Sequence, residues 1–192
     1  LARLIASPFF VLLFWLGVRS PDPAIYLPTL DPWLVGGALL LLLLQEASDM
    51  VDGALARRRG VVSDLGKLLD PLADTLSHMG AFLCLMWVGL FPLWLLVLMY
   101  YREAIVGVLR IVAARQGIVL GARISGKLKA VIQGGAANLL IFLMVVTHFE
   151  PGFPLLPVAE VLAWLVGVVT LVSLVDYLIA VGRNIDRTPS PN

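Results

Sequence analysis

Six long apolar stretches dominate this 192-residue chain and restrict the folds open to it. They cover roughly residues 1–18, 33–57, 65–90, 92–115, 125–147 and 158–181. Each is close to the ~20 residues that a helix needs to cross the hydrocarbon core of a bilayer. With 60% hydrophobic and 14% charged residues, the composition is that of an integral membrane protein and excludes a soluble globule. We therefore predict an all-α membrane protein with six transmembrane helices.

The distribution of cations predicts the orientation of these spans. Lys and Arg cluster around the second connection, around the fourth connection and after the last span. The first connection carries a single Arg, and the fifth carries no Lys or Arg. Because loops rich in Lys and Arg stay in the cytoplasm, six crossings with both termini cytoplasmic account for this asymmetry. We predict a multi-pass protein of the cell inner membrane.

The chain shows no internal boundary. No polar tail or Ser/Gly-rich linker divides it, so we interpret residues 1–192 as a single domain. The single cysteine, Cys84, excludes an intrachain disulfide. The chain opens on Leu1-Ala2-Arg3 without an initiator Met, and no small-residue cleavage site follows the first apolar run. This start predicts a truncated or trimmed N-terminus rather than a signal peptide.

Four aspartates lie at the facing ends of the second and third apolar stretches. On a helix, Asp49 and Asp52 share one face, and Asp70 and Asp74 share another. At ~1.5 Å rise per residue, the hairpin brings all four to a similar shallow depth. Acids in a membrane are costly and usually functional, and these four would repel one another unless cations lay between them. A hard divalent cation such as Mg²⁺, shared with the phosphates of a substrate, meets that need.

Further fixed positions surround these aspartates. Gly53 and Ala56 recur on the Asp49 face and leave it bare, so a bulky group can lie against the backbone. Arg57 and Gly66 complete the pattern D-x-x-D-G-x-x-A-R-x(8)-G-x-x-x-D-x-x-x-D. This pattern is that of the CDP-alcohol phosphotransferases. The chain resembles that family over nearly its whole length.

The resemblance implies a reaction and a set of metal ligands. The family transfers a substituted phosphoryl group from a CDP-linked donor to an alcohol and releases CMP. The four aspartates would hold two Mg²⁺ ions, or Mn²⁺, that neutralise the diphosphate of the donor. Asp74 is the family's candidate general base, which takes the proton from the attacking hydroxyl, or else a metal ligand. Both roles stay open.

The same resemblance assigns the donor site. For a donor such as CDP-diacylglycerol, a cation at the helix mouth would contact the phosphates, and small residues on both helices would leave room for the nucleotide. The residues in these positions are Arg57, Gly53, Ala56 and Gly66. An intramembrane prenyltransferase also uses Asp-rich motifs but lacks the D-G-x-x-A-R frame. A cation transporter would need acids near the bilayer midplane and an internal repeat, which the sequence does not show.

A second group of charges lies in the fourth and fifth apolar stretches. Arg102 and Glu103 lie inside an apolar helix, and Arg110 follows two turns later. Because Arg is poorly tolerated in lipid, we expect these residues to face the bundle interior, where an anion or Glu103 pairs with them. Lys127 and Lys129 open the fifth stretch. Several cations near a metal-rich site suit an acceptor that carries its own phosphate, although a topological role for the lysines and a structural ion pair for Arg102 stay open.

Two segments indicate the branch of the family. The stretches REAIVGVLR and SGKLKAVIQ resemble those of phosphatidylglycerophosphate synthases, which use glycerol 3-phosphate, and Arg3 and Pro8 fit that branch too. Phosphatidylinositol-phosphate and cardiolipin synthases share the aspartate motif and stay open as alternatives. The resemblance to the first branch implies that the acceptor is bound by Arg102, Arg110, Lys127 and Lys129.

Several residues outside these motifs carry weaker signals. His78, one turn beyond Asp74, is interpreted as a buried structural histidine, with support of Asp74 as the alternative. Asp176 and Tyr177 are interpreted as interfacial residues. The small residues at 134–137 predict close helix packing, and we predict a homodimer. The partners that we predict are the membrane, CDP-diacylglycerol and glycerol 3-phosphate, and we predict no nucleic-acid partner.

Overall fold

The chain is described by a computed structural model over residues 2–19, 29–59, 64–115 and 123–185, and its side chains over 3–19, 29–48, 72–113 and 123–183. Within these ranges it forms six helices, as the apolar stretches predict. They are α1 (Ala2–Gly17), α2 (Pro32–Arg59), α3 (Asp64–Trp87), α4 (Leu93–Arg115), α5 (Ile124–Phe149) and α6 (Leu155–Ile185). The all-α prediction is confirmed for this part of the chain.

The six helices pack into one bundle. Helix α1 packs against α2 and α3, α5 packs against α2, α3 and α6, and α4 packs against α3 and α6. Large apolar side chains fill the space between them, and in a lipid environment the helices are held together by this close van der Waals packing rather than by removal of apolar surface from water. The largest fully buried ones include Phe10, Phe14, Leu42, Phe82, Leu85, Leu95, Met99, Leu140, Ile141 and Met144.

Apolar side chains also cover the outside of the bundle. Ile5 of α1 is 65% exposed, Val131 of α5 is 72% exposed and Val161 of α6 is 68% exposed, and many neighbours resemble them. Soluble monomers rarely present apolar surface on this scale, whereas a lipid environment requires it. By length and composition, Ile124–Phe149 and Leu155–Arg183 can cross a membrane, and two shorter apolar helices accompany them in the described residues. The fold therefore has the character of a membrane protein.

A tight turn joins α3 to α4, as expected where one apolar stretch ends at residue 90 and the next begins at residue 92. Gly89 adopts a φ of +79°, its N–H donates to the Met86 carbonyl at 3.0 Å, and the N–H of Leu90 donates to the Leu85 carbonyl at 2.9 Å. These two bonds form a Schellman motif, in which a residue with positive φ satisfies the last helical carbonyls. The preference for glycine at such a position explains why α3 ends at Trp87, before the predicted boundary.

The connection between α1 and α2 is closed by backbone pairing and a helix cap. Val18 and Leu30 form an isolated antiparallel bridge. The Asp31 carboxylate then accepts hydrogen bonds from the N–H groups of Trp33 at 2.9 Å and Leu34 at 3.2 Å. Such N-caps satisfy donors that the first turn of a helix leaves unpaired. The cap explains why α2 begins directly after Asp31.

Candidate active site

One end of the bundle holds a cavity of about 330 Å³. Arg3 reaches it from the start of α1 and Tyr177 from near the end of α6, so the beginnings of α1 and α5 meet the ends of α4 and α6 there. This arrangement follows from helices that run alternately up and down. The lining residues are Arg3, Asp74, Thr75, His78, Met79, Arg102, Glu103, Arg110, Arg123, Gly126, Lys127, Lys129, Ala130, Gln133 and Tyr177.

The cavity wall is strongly cationic. Six of its described side chains are Arg or Lys, against the two carboxylates of Asp74 and Glu103. Like charges held this close in a low-dielectric setting raise the local potential and attract anions. All four residues predicted to bind a phosphorylated acceptor, Arg102, Arg110, Lys127 and Lys129, lie in this wall. Their shared placement is observed, whereas their binding role stays a prediction.

Glu103 ties two of these four cations together. Nη1 of Arg102 donates to both carboxylate oxygens of Glu103, at 2.9 and 3.0 Å, and Nζ of Lys129 donates to the same carboxylate. Nη2 of Arg102 donates to the Ser173 hydroxyl at 2.7 Å. Arg102 is only 3% exposed, and a buried cation requires such partners. The ion pair between Arg102 and Glu103 is therefore present, and it recruits Lys129.

Arg110 and Lys127 have a different environment. Nε of Arg110 donates to the Tyr177 hydroxyl at 3.0 Å, and its guanidinium lies 5.5 Å from the centre of the same ring. Lys127 is an exposed side chain on the wall. Among the described residues, neither forms an ion pair with a carboxylate. Their positive charges are therefore the least compensated part of the wall.

Asp74 connects the cavity to the aspartate pattern. Its Oδ1 accepts a hydrogen bond from Nη1 of Arg3 at 3.1 Å, and its side chain stays 42% exposed toward the cavity. The other three aspartates of the pattern and its donor-site residues lie on the facing ends of α2 and α3. Their side chains are outside the described residues: Asp49, Asp52, Gly53, Ala56, Arg57, Gly66 and Asp70.

The metal site formed by all four aspartates therefore stays a prediction. Where side chains are described, no group of three or more His, Cys, Asp or Glu lies close enough to hold a metal ion. Asp74 alone of the four predicted ligands falls in that part of the chain. Its carboxylate offers the oxygen ligand that Mg²⁺ prefers, and it lies on the wall of an anion-attracting cavity.

A layer of buried and half-buried polar groups lies next to the cavity. Gln45 accepts hydrogen bonds from the hydroxyls of Ser7 and Ser77, each at 3.2 Å. Glu46 accepts a bond from Nδ2 of Asn138 at 2.8 Å, and Nε2 of His78 lies 4.0 Å from the same carboxylate. These contacts join α1, α2, α3 and α5. His78 is buried, as the sequence predicts, and it lines both this layer and the cavity.

Three of the four small residues at 134–137 pack inside this chain's own bundle. Gly134, Ala136 and Ala137 are buried, so the predicted close helix packing is confirmed, while the dimer stays a prediction. A Cβ on Gly134 would lie 2.6 Å from Oε1 of Glu46, whereas one on Gly135 would meet nothing within 4 Å. Gly134 thus provides the space that Glu46 occupies.

This contrast gives a stability prediction. We expect Gly134→Ala to displace Glu46, break its bond to Asn138 and lower the free energy of unfolding by about 1–2 kcal/mol. Gly135→Ala is the matched control and should be neutral or stabilising, because alanine favours a helix over glycine. Thermal unfolding of both variants in one detergent measures the difference. Equal midpoints would show that Glu46 relaxes at no cost.

Sequence reasoning missed one group of contacts at the cavity mouth. Nε of Arg123 donates to Asp176 at 2.6 Å, its Nη2 donates to the other carboxylate oxygen, and the Ser125 hydroxyl also donates to Asp176. The hydrogen bonds to the Asp176 carboxylate hold the pKa of Arg123 above its usual value. Tyr177, for which the sequence indicates only an interfacial position, is 2% exposed and contacts Arg110.

The chain is similar in sequence to several known proteins. A protein of Bacillus subtilis, CDP-diacylglycerol--glycerol-3-phosphate 3-phosphatidyltransferase, is 33% identical over 92% of this chain and 89% of its own length. The protein of that name from Treponema pallidum is 35% identical over 59% of the chain and 52% of its own length. A cardiolipin synthase (CMP-forming) of Streptomyces coelicolor is 42% identical over 57% of the chain and 48% of its own length.

These alignments differ in extent. The chain matches about half of the length of the Streptomyces and Treponema relatives, and most of the Bacillus protein. The family model for CDP-alcohol phosphatidyltransferase matches residues 1–175, which include every residue of the aspartate pattern and all but the last of the cavity residues. This chain belongs to the CDP-alcohol phosphatidyltransferase family.

Proposed function

We propose that this chain transfers the phosphatidyl group of CDP-diacylglycerol to glycerol 3-phosphate, giving phosphatidylglycerophosphate and CMP. The observation that carries the proposal is the cationic cavity beside Asp74, which suits a small acceptor with a phosphate of its own. The names of the Bacillus and Treponema relatives support the same reaction. The experiment that tests it offers the purified protein CDP-diacylglycerol, Mg²⁺ and one candidate acceptor at a time, and measures CMP release.

The acceptor phosphate is the natural partner of the uncompensated cations. Glu103 offsets part of the charge of Arg102 and Lys129 and holds both side chains in place, so these two shape and rigidify the wall. Arg110 and Lys127 keep their charge available and would bind the phosphate oxygens directly. A charge-assisted hydrogen bond to such a group contributes roughly 1.5–3 kcal/mol. The bound acceptor would then present its hydroxyl to Asp74, the group proposed to remove its proton.

The donor would bind on the α2–α3 side of the cavity. Family membership and the spacing of the pattern support two Mg²⁺ ions held by Asp49, Asp52, Asp70 and Asp74, with Mn²⁺ as a substitute. Such ions would neutralise the diphosphate and stabilise the leaving CMP. We assign the phosphates and the nucleotide of the donor to the remaining residues of the pattern, Arg57, Gly53, Ala56 and Gly66.

The membrane arrangement is part of the proposal. Six spans with both termini in the cytoplasm would place the cavity at the cytoplasmic surface, where the soluble acceptor arrives. Support comes from the alternating helices, from the apolar exterior and from the cations at the cavity end. We further propose a single domain and a homodimer in the cell inner membrane.

The acceptor assignment predicts the effect of removing Arg110. We expect Arg110→Ala to raise the KM for glycerol 3-phosphate about tenfold or more, because one charge-assisted contact is lost. The KM for CDP-diacylglycerol should hardly change, since other residues hold the donor. Steady-state CMP release with each substrate varied in turn measures both. Arg19→Ala, an exposed arginine beyond the far end of α1, is the matched control.

A different acceptor substrate would change which compound supports the fastest CMP release. The Streptomyces relative supports cardiolipin synthesis as the alternative. An archaetidylinositol phosphate synthase of Aeropyrum pernix, 32% identical over 76% of this chain, supports an inositol phosphate. Faster CMP release with phosphatidylglycerol or inositol phosphate than with glycerol 3-phosphate would keep the family and overturn the branch.

A further inference from the structure

Two adjacent residues of α6 each bind an arginine from a different part of the chain. Asp176 accepts hydrogen bonds from Arg123, which directly precedes α5, and Tyr177 accepts one from Arg110 of α4. Both arginines line the cationic cavity. Neither α6 residue belongs to the aspartate pattern or to the predicted acceptor set. One short segment of α6 therefore controls two of the six cations of the wall.

The atoms used in these contacts leave the arginines able to bind an anion. A guanidinium has five N–H donors in a fixed plane. Tyr177 uses only the Nε donor of Arg110, at 3.0 Å, and packs its ring 5.5 Å from the guanidinium. Four N–H groups of Arg110 are not used by this bond. Because the tyrosine is neutral, Arg110 also keeps its full charge.

Asp176 acts on the other side of the cavity. It engages Nε and Nη2 of Arg123, and the hydroxyl of Ser125 on the same carboxylate ties the first turn of α5 to α6. Two of the five N–H groups of Arg123 are used in this way, so three others can point elsewhere. The pair Arg123–Asp176 carries little net charge, and its contribution is therefore one of orientation and of wall shape.

We propose that Asp176 and Tyr177 are positioning residues, which fix Arg123 and Arg110 in the cavity wall and thereby set its affinity for a phosphomonoester. This inference rests on the proposed function. Free arginine side chains lose rotamer freedom when they bind a ligand, and prior fixation removes that cost. Tyr177 is buried at 2% exposure, so its hydroxyl is held as rigidly as the helix that carries it.

The first test removes one hydroxyl. Tyr177→Phe keeps the ring and should raise the KM for glycerol 3-phosphate about three- to tenfold, with kcat and the KM for CDP-diacylglycerol unchanged. Tyr101→Phe, an exposed tyrosine on α4, is the matched control. In an Arg110→Ala background the Tyr177→Phe change should have no further effect, because its only route of action is gone. A full additional effect there would overturn the positioning role.

The second test addresses Asp176. Asp176→Asn removes one bond to Arg123 and should also raise the acceptor KM, with no further effect once Arg123→Ala is present. A lower acceptor KM in Asp176→Asn would show that the carboxylate competes with the acceptor for Arg123, and would overturn its assignment. Glu160→Gln, an exposed acid in the half of α6 far from the cavity, is the matched control.

A binding measurement separates this inference from the proposed function. Calorimetric titration of the protein in detergent with inorganic phosphate requires no turnover. Weaker phosphate binding in Tyr177→Phe, with wild-type protein that ignores glycerol 3-phosphate as acceptor, would retain the positioning role and reject the proposed reaction. The opposite result is normal turnover of glycerol 3-phosphate by Tyr177→Phe and Asp176→Asn, with the acceptor KM and the affinity for phosphate unchanged. That result would retain the proposed reaction and reject the positioning role.

Discussion

Replacing Asp49, Asp52 or Asp70 by Asn should reduce CMP release to background while the protein still folds. Each change removes one negative charge and one metal-binding oxygen from a site that must hold two divalent cations against the diphosphate of the donor. Without these cations, no divalent charge offsets the repulsion between the acids and the phosphates of the donor. The same loss is expected when EDTA removes the metal from the unmodified protein, and excess Mg²⁺ should restore activity.

The measurement separates metal loss from unfolding. Size-exclusion profiles and thermal midpoints of the three variants should match the unmodified protein, because removing mutual repulsion among acids does not disturb packing. Asp31→Asn serves as the matched control, since asparagine caps a helix about as well as aspartate and this residue lies at the other end of α2. Full turnover in EDTA would end the two-metal proposal.

The order of the helices was predictable because it depends on local properties. Apolar length, turn residues and cation distribution are all read within one stretch of chain, and the six helices agree with them within a few residues at most ends. The largest differences occur in α6, which begins at Leu155 and continues to Ile185. Pro157 lies in the first turn of this helix, where a proline interrupts no hydrogen bond, so the helix begins before it.

The cavity was partly predictable for a similar reason. Residues that follow helical spacing near the ends of α4 and α5 had to share one end of the bundle, and the predicted acceptor residues do so. Their partners could not be found in this way. Arg3 with Asp74, Arg110 with Tyr177 and Arg123 with Asp176 are separated by 71, 67 and 53 residues. Such pairs depend on how each helix is rotated about its axis, which the sequence of a single chain does not encode locally.

The same limit applies to the polar layer next to the cavity. Gln45 and Glu46 lie in an apolar stretch, and nothing in their local sequence assigns them a role. Only the packing of α5 against α2, made close by Gly134, shows that Glu46 meets Asn138 across 92 positions of chain. Buried polar groups acquire their partners from tertiary structure, so their roles appear only when the helices are assembled.

Asp74→Asn should lower turnover by about 10²–10⁴-fold and leave CDP-diacylglycerol binding largely intact. The magnitude is that of a lost general base, because the amide cannot take the proton from the attacking hydroxyl. Asparagine keeps an oxygen that can accept the bond from Arg3, which Asp74 accepts at 3.1 Å. The local fold is therefore expected to survive the change, and the loss should fall on kcat rather than on stability.

The alternative role of Asp74 gives a different result. If Asp74 acts chiefly as a metal ligand, its replacement should weaken donor binding along with turnover, since the metal ions and the donor diphosphate bind together. Titration of the variant with CDP-diacylglycerol at several Mg²⁺ concentrations distinguishes the two. If Asp74 is the base, Asp74→Asn should bind the donor at the Mg²⁺ concentration that the unmodified protein needs. If Asp74 is a metal ligand, the variant should need a higher Mg²⁺ concentration. Collapse of donor binding at every Mg²⁺ concentration would remove the support for Asp74 as the base and leave the proton to another acceptor in the cavity.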